Sequence, residues 1–267
     1  SWIAILVLMI GTIASADPIE LEPGLSIEDL GDGIWIHRSD HTWDDGKPIT
    51  SNGVFVIGAG SVAMIDTAWT DEQTGQLIDW IEQRVERPVG HVVSTHWHWD
   101  KMGGMAEVNR RGIDSYGLQL TATLGIENEL APPRLRFSRS VRIDLGDETV
   151  EAFFAGAGHT LDNTVVWLER RKILIGGCLV KSDRWTSLGY LEDADVDAWG
   201  PTLERVLERY AEATTVIPGH GAPGDLGLVR HTLELVKKEN SGSGDLLDLA
   251  AHLDHLGAQV VVDVARQ

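Results

Sequence analysis

The first half of the chain alternates short apolar runs with polar and amphipathic stretches. Residues 34–37, 54–57 and 62–65 have the apolar character of strands, and a glycine-containing turn between the last two indicates a meander. Apolar residues recur at helical spacing within residues 70–87, which predicts an amphipathic helix. A short strand over residues 92–95 is expected to follow that helix.

The second half repeats this order of elements. Residues 150–154, 164–168 and 173–175 predict strands, residues 196–212 predict a helix, and residues 215–217 predict one more strand. In each half, a helix therefore precedes a short strand that ends next to a histidine. This recurrence favours a duplicated unit, packed as two sheets with helices outside, with a ligand site beyond the carboxyl ends of the strands.

The two ends of the chain read differently from the middle. Residues 1–16 combine an apolar stretch with Ala14-Ser15-Ala16, which resembles a secretory signal peptide that lacks its basic start and initiator Met. A buried N-terminal strand or an uncleaved anchor is the alternative. Residues 228–238 predict a helix that ends at Ser241-Gly242-Ser243-Gly244, and residues 241–267 form an extension without an assigned structure.

Length and composition predict one soluble domain over residues 17–267, because 43% hydrophobic residues can form a sizeable core. We expect the protein to be periplasmic and monomeric. There is no cysteine near the cleavage site that could carry a lipid. The chain has 41 acidic and 22 basic residues, a formal net charge of -19, so it would repel a nucleic acid backbone. Its one cysteine, Cys178, cannot form an intramolecular disulfide, and either burial or metal ligation would explain it.

Four short motifs carry candidate metal ligands. His96, His98 and Asp100 alternate just after a predicted strand, so they can project toward the same side. Three more candidates each follow a glycine, whose backbone freedom permits tight turns: His159, Cys178 and His220. Imidazole, carboxylate and thiolate together suit zinc. Histidines without such a pattern are interpreted as surface or core residues, namely His41, His91, His231, His252 and His255.

Together these motifs resemble the metallo-β-lactamases, in particular their first subclass, over residues 30–238. The motifs are His96-x-His98-x-Asp100, Gly158-His159, Gly177-Cys178-Leu179-Val180-Lys181, Ser187-Leu188-Gly189 and Pro218-Gly219-His220-Gly221. The resemblance implies an α/β fold, a four-layer αβ/βα sandwich of two mixed β-sheets with helices on the outer faces. It also implies two zinc ions and hydrolysis of the β-lactam amide bond by a metal-bound hydroxide.

The resemblance assigns a role to each ligand. His96, His98 and His159 would hold the first zinc ion, and Asp100, Cys178 and His220 would hold the second. Asp100 would also orient the attacking water and pass a proton. Lys181 resembles the lysine that pairs with the carboxylate of the substrate, although it could be an ordinary solvated lysine. Tyr190 stands where the family commonly has an asparagine. We expect its phenol hydroxyl to donate a similar hydrogen bond to the substrate or the oxyanion, although the length of its side chain differs from that of asparagine.

Related branches of the family differ at three positions. Lys101 follows Asp100 where hydroxyacylglutathione hydrolases and the third lactamase subclass have a histidine, and Cys178 stands where the thioesterases have a bridging aspartate. His96 is present, whereas the one-zinc subclass has an asparagine there. Two alternatives stay open at this point: another hydrolase of the same fold, such as a thioesterase or lactonase, and a catalytically silent zinc-binding protein.

Four further residues lie near the motifs. Two of them have both a functional and a structural interpretation, and the other two have a structural one. Asp66 could orient a ligand imidazole, or it could cap the helix that follows. Trp43, in a polar hairpin-like segment, could pack on apolar substrate groups or hold the hairpin together. Trp97 and Trp99 alternate with the ligands, so both are expected to face away from the metals and to pack in the core.

Overall fold

The computed structural model describes residues 17–44 and 46–255, with side chains to residue 242. The segment expected to be a signal peptide, residues 1–16, lies outside the described residues, as does the end of the chain from residue 256. Within the described part, the elements form two mixed β-sheets with helices on their outer faces, as the resemblance implies.

The first sheet has eight strands that follow one another in chain order. They are β1 (Ile19–Glu22), β2 (Leu25–Gly31), β3 (Ile34–Thr42), β4 (Pro48–Ile57), β5 (Val62–Ile65), β6 (Val89–Val93), β7 (Asp114–Leu118) and β8 (Leu135–Phe137). The pairings from β1 to β5 are antiparallel, which confirms the predicted meander, and those from β5 to β8 are parallel.

The second sheet has five strands in the order β13-β12-β11-β10-β9. They are β9 (Ser140–Asp144), β10 (Thr149–Phe154), β11 (Thr164–Leu168), β12 (Ile173–Gly177) and β13 (Thr215–Pro218). Only β12 and β13 are parallel neighbours within this sheet, with Ile175 opposite Ile217. This pairing places the carboxyl ends of both strands at the same edge of the sheet.

The described chain has six helices, of which the last follows the final strand. They are α1 (Asp71–Val85), α2 (Trp99–Met102), α3 (Met105–Arg110), α4 (Gln119–Glu127), α5 (Val196–Arg209) and α6 (Gly227–His255). Thr70 begins α1, where its hydroxyl accepts a hydrogen bond from the backbone N–H of Gln73 at 3.1 Å. Asp195 begins α5 in the same way, through the backbone N–H of Ala198 at 2.9 Å. The two predicted long helices are therefore confirmed, with ends within a few residues of those expected.

Three hydrophobic clusters hold the four layers together. The central one lies between the sheets and joins side chains such as Val54 of the first sheet to Val166 of the second. A second cluster packs the apolar face of α1, including Leu77, against the outside of the first sheet. A third packs Trp199 of α5 and part of α6 against the outside of the second sheet. Each fully buried aliphatic side chain contributes roughly 1.5–3 kcal/mol relative to exposure, so these interfaces dominate the packing.

Two predicted boundaries are wrong. Strand β6 ends at Val93, two residues earlier than expected, because the backbone turns there toward the first histidines. Helix α6 runs through Ser241-Gly242-Ser243-Gly244 to His255, so the predicted end at that segment is also wrong. Glycine in a helix costs about 1 kcal/mol relative to alanine but leaves helical backbone angles accessible. None of the described helices is long and apolar enough to cross a bilayer.

Candidate metal centre

All candidate ligands follow the carboxyl ends of strands and meet at one edge of the two sheets. The segment after β6 carries His96 and His98, and the short helix α2 carries Asp100. Cys178 directly follows β12, and His220 follows the neighbouring strand β13 after one glycine. His159 lies in the loop between β10 and β11, and completes the set.

Three imidazoles form the first group of ligand atoms. One nitrogen each of His96, His98 and His159 lie within 4.8 Å of one another. Nδ1 of His98 is 3.2 Å from Nε2 of His159. Nε2 of His96 is buried and has no hydrogen-bonding partner among the described residues. A buried polar atom in that state requires a partner, and a metal ion shared with the other two imidazoles would supply one.

Two hydrogen bonds orient these imidazoles from outside the group. Nε2 of His98 lies 3.1 Å from Oδ2 of Asp193, which leaves Nδ1 of His98 toward the other histidines. Oγ1 of Thr95 lies 3.3 Å from Nδ1 of His96. Contacts of this kind fix the tautomer and the ring orientation of a metal ligand. The sequence motifs did not identify either Asp193 or Thr95.

Asp66 supports the site through Thr95. Its Oδ1 accepts the backbone N–H of Thr95 at 2.7 Å, and its Oδ2 accepts the hydroxyl of the same residue at 2.9 Å. Asp66 adopts a φ of 64°, which is rare for a residue with a side chain. Since Thr70 caps α1, the interpretation of Asp66 as a helix cap is not the one that the structure favours.

The second group of ligand atoms surrounds the carboxylate of Asp100. Sγ of Cys178 lies 3.5 Å from Oδ2 of Asp100, and Nε2 of His220 lies 3.3 Å from the same oxygen. Nδ1 of His220 donates to the backbone carbonyl of Thr50 at 2.7 Å, which directs Nε2 toward the group. His96, Asp100 and Cys178 also offer ligand atoms within 4.8 Å of one another, so the two groups are contiguous.

A buried lysine lies beneath Asp100. Nζ of Lys101 is 3.2 Å from Oδ2 of Asp100, and its side chain is fully buried. It donates to the Ser51 hydroxyl at 2.6 Å, and to the backbone carbonyls of Asn52 at 2.8 Å and Gly219 at 3.3 Å. Because Gly219 belongs to the second half of the chain, this ammonium also connects the two halves.

Burial sets the protonation state of the first group. The pKa of His96 lies well below its ordinary value, mainly because burial disfavours the charged imidazole and because His98 lies close by. Burial lowers the pKa of His159 in the same way, and the ammonium of Lys181 adds to the effect. Neutral imidazoles are the form that binds a metal ion.

Lys181 and Tyr190 both line the cavity next to the ligands. Lys181 is only 4% exposed, and its Nζ lies over the rings of Trp185 and Trp199. Tyr190 is half exposed, its ring lies 5.8 Å from that of His98, and its hydroxyl donates to Oε2 of Glu192 at 3.4 Å. The structure therefore brings Lys181 and Tyr190 to the same cavity as the metal ligands.

The cavity above the ligands has a volume of about 320 Å³ and is mainly aromatic. Its lining consists of Trp43, Ile49, Trp69, Trp97, His98, Trp99, Asp100, His159, Lys181, Trp185, Tyr190, Asp193 and His220. Trp97 is buried as expected, but it lines the cavity beside the ligands instead of facing away from them. Trp99 also lines the cavity and is 50% exposed, so its predicted core position is wrong. Helix α2 begins at Trp99, and the alternation of an extended chain ends there.

Trp43, His41, His91 and His231 have other contacts, whereas the side chains of His252 and His255 lie outside those that the structure describes. Trp43 is half exposed and meets the rings of His41 and Trp69 edge-on. His91 lies beside Tyr116, and His231 donates to the backbone carbonyl of Trp185. Among the side chains that the structure describes, none of these histidines joins a potential metal group.

Known proteins of one superfamily resemble this chain in sequence. Residues 46–220 match the profile of the metallo-beta-lactamase superfamily. Metallo-beta-lactamase type 2 from Bacillus cereus is 38% identical over 213 residues, which cover 80% of this chain and 83% of that protein.

Two solved structures superpose closely on this chain. A metallo-beta-lactamase from Pontibacter korlensis gives a TM-score of 0.77 at 39% identity, covering 80% of this chain and 99% of that chain. The metallo-beta-lactamase FIM-1 from Pseudomonas aeruginosa, in its mono-zinc form, gives a TM-score of 0.75 at 33% identity, covering 80% of this chain and 96% of that chain.

Proposed function

The chain belongs to the metallo-β-lactamase superfamily, and on that premise we propose that it is a zinc-dependent hydrolase of β-lactam antibiotics. One observation carries the proposal: six candidate ligand side chains from four separate stretches form two contiguous groups, and four of the six line one aromatic cavity. The set contains a cysteine beside the Asp100 carboxylate, which favours the lactamase over a thioesterase of the same fold.

The donor set suits zinc, and we propose two ions. His96, His98 and His159 would hold one ion, and a second would be held by Asp100, Cys178 and His220. Three protein ligands for each ion leave coordination positions open, as in catalytic rather than structural zinc sites. Zinc, when bound, acts as a Lewis acid toward a carbonyl oxygen and lowers the pKa of water toward about 7.

The residues around the ligands prepare the site for hydrolysis. Asp193 and Thr95 hold the imidazoles of His98 and His96 in one orientation, so little reorganisation is needed during the reaction. The Asp100 carboxylate is fixed by contacts with Lys101 and Ser51, and it can accept a hydrogen bond from the attacking water.

Lys181 and the aromatic lining of the cavity would bind the substrate. We infer that the ammonium of Lys181 pairs with the carboxylate found on most β-lactams, since Lys181 lines the space above the ligands that the substrate would occupy. Trp43, Trp69 and Trp99 present apolar surface to the side chains of the antibiotic. Tyr190 stands at the edge of this space, where its phenol ring can contact the substrate.

The test is hydrolysis of a chromogenic cephalosporin and of a carbapenem by the purified protein. We expect turnover of both, loss of turnover on treatment with a chelator, and recovery when zinc is restored. A thioester and a lactone serve as competing substrates. Chelator-sensitive turnover of one of those, with neither β-lactam cleaved, would assign the protein to another hydrolase of the fold, and no turnover at all would favour a silent zinc-binding protein.

The number of zinc ions needs its own measurement. Elemental analysis of the protein after equilibration with zinc should give two ions per chain. The Cys178→Ser variant should retain one ion, because it alters only the second ligand group. A single ion in the unaltered protein at saturating zinc would contradict the two-ion proposal.

We also propose that the protein is exported to the periplasm. The apolar stretch and Ala14-Ser15-Ala16 support this, because they have the composition of a signal peptide and its cleavage site. Expression with a complete leader, followed by fractionation and N-terminal sequencing, should give a mature chain that begins at Asp17. Retention of the uncleaved chain in the cytoplasm would contradict it.

A further inference from the structure

The ammonium of Lys181 is held between two tryptophan rings. Its Nζ lies 5.3 Å from the ring centre of Trp185 and 5.4 Å from that of Trp199. Within the part of the chain that the structure describes, no carboxylate forms an ion pair with this nitrogen, although the residue is only 4% exposed. The charges of Cys178 and Asp100 attract this ammonium without forming an ion pair with it, and the two π faces add to that attraction.

The two rings differ in how firmly they are held. Trp199 is fully buried in α5, and its Nε1 donates to the backbone carbonyl of Leu179 at 2.9 Å. The ring of Trp199 also lies 5.8 Å from that of His159, so it reaches the first ligand group. Trp199 is thus the fixed base of the two-ring arrangement, hereafter the tryptophan cage.

Trp185 forms the side of the tryptophan cage that faces the cavity. It is half-buried, and both it and Lys181 line the cavity. Its backbone is held by the N–H donated to Ser182 at 3.1 Å and by the ring of His231, which donates to its carbonyl at 2.8 Å.

The loop after Trp185 leaves room for the indole. Gly189 has a φ of 76°, and a Cβ at that position would lie 3.0 Å from the six-membered part of the Trp185 ring. The Trp185 ring lies 6.2 Å from that of His220, so the tryptophan cage stands next to the second ligand group as well.

We propose that Trp185 is a positioning residue that holds the ammonium of Lys181 toward the cavity and thereby makes the site selective for substrates bearing a carboxylate. This inference rests on the proposed function. A lysine paired to a carboxylate of the protein would have to exchange that partner for the substrate. A lysine that contacts π faces and has no ion-pair partner in the protein keeps its N–H donors available and loses little rotamer entropy when the substrate binds.

The experiment uses one chromogenic cephalosporin as the free acid and as its methyl ester, which differ only in the charge that Lys181 would bind. We expect the zinc-loaded protein to prefer the acid. Trp185→Leu should lower kcat/KM for the acid about tenfold more than for the ester, mainly through KM. Trp185→Phe restores an aromatic face and should keep most of the preference.

Two matched variants separate the tryptophan cage from the rest of the cavity. Trp43→Leu removes another cavity-lining indole that lies apart from Lys181, so it should weaken the acid and the ester alike. Lys181→Met should abolish the preference for the acid. Retention of that preference in Lys181→Met would overturn both the role of Lys181 and the proposal. Equal effects of Trp185→Leu on acid and ester, or no effect on either, would overturn the proposal alone.

A measurement without turnover makes the outcome independent of the proposed function. In protein labelled with ¹³C-lysine, ring currents of the two indoles should shift the Hε resonances of Lys181 upfield, with the assignment taken from their loss in Lys181→Met. Trp185→Leu should move them toward ordinary lysine values. An unchanged position in Trp185→Leu would refute the tryptophan cage, whereas failure of the protein to cleave either cephalosporin would refute only the proposed function.

Discussion

Nζ of Lys101 lies 3.2 Å from Oδ2 of Asp100, which belongs to the second group of ligand atoms, and both side chains are buried. The same ammonium donates to backbone carbonyls of Asn52 and Gly219, which belong to different halves of the chain. The Lys101 ammonium therefore both fixes the Asp100 carboxylate and bonds the two halves of the chain to each other.

Replacing Lys101 should destabilise the protein strongly. Lys101→Met leaves the Asp100 carboxylate and two carbonyls without their donor, and removal of one partner of a buried ion pair costs about 3–5 kcal/mol. Denaturant unfolding of the zinc-loaded protein measures the loss. Lys237→Met, which breaks an exposed pair with Glu234 on α6, is the control and should change little. Similar unfolding free energies for the two variants would contradict the role assigned to Lys101.

The contact between Asp193 and His98 should control zinc affinity. Asp193→Ala removes the acceptor that holds Nε2 of His98, and loss of such a contact lowers metal affinity by about 10–100-fold. Competition with a chromophoric chelator measures the affinity of the first ion. Glu192→Ala, next to it in the chain, is the matched control. Unaltered affinity in Asp193→Ala would show that the ring of His98 is held by other contacts.

A methyl group at Gly219 should displace Cys178. A Cβ there would collide with Sγ of Cys178 and lie 2.7 Å from its backbone nitrogen. We therefore expect Gly219→Ala to lose the second zinc ion while keeping the first, as measured by elemental analysis.

Gly200→Ala is the matched control for this substitution. A Cβ at Gly200 meets only ordinary contacts with Leu233 and Val236 at 3.7 Å, and alanine favours the helix by about 0.5–1 kcal/mol. It should keep both ions and gain stability. Full zinc content in Gly219→Ala would mean that the Cys178 loop adjusts more easily than its backbone contacts indicate.

The acid sensitivity of α3 should depend on Glu107. Hydrogen bonds from Arg110 and Arg111 lower the pKa of this carboxyl, so its contribution to stability is present above the unfolded pKa of about 4.3 and is lost as the pH falls through the lower folded value. Glu107→Gln should cost about 1–3 kcal/mol at neutral pH.

The pH dependence of that cost is the decisive measurement. The difference in unfolding free energy between Glu107→Gln and the unaltered protein should shrink as the pH falls below about 4. Glu127→Gln, at an exposed position in α4, should show no such convergence. A difference that stays constant with pH would mean that packing, rather than charge, accounts for the effect of Glu107.

The six candidate ligands could be predicted because each lies in a short motif of metal-binding residue types, five of them shortly after the end of a strand and His159 in the loop between β10 and β11. Asp193 could not be found in this way. It lies 95 residues after His98, and only folding brings the two together. Thr95 and Lys101 were adjacent to ligands, but nothing in their neighbourhood indicated that one would bond to Asp66 and the other would be buried.

The elements that were not predicted lack a clear pattern. Strand β9 is mostly exposed and lies at the edge of its sheet, so its residues do not alternate strongly. Strand β7 contains Gly117 and a mixture of polar residues, which strand propensities disfavour. The core position predicted for Trp99 was wrong because the alternation of side chains in a strand does not continue into α2, which begins at that residue.

Five of the ten tryptophans line the cavity, and this gives the protein an internal optical reporter. Indole emission responds to the polarity around the ring and to nearby quenching groups. Any molecule that displaces water from this cavity should therefore change the emission of about half of the fluorophores at once. Occupancy of the cavity could therefore be followed without a label. The same signal would report inhibitors, which are not cleaved, as well as substrates.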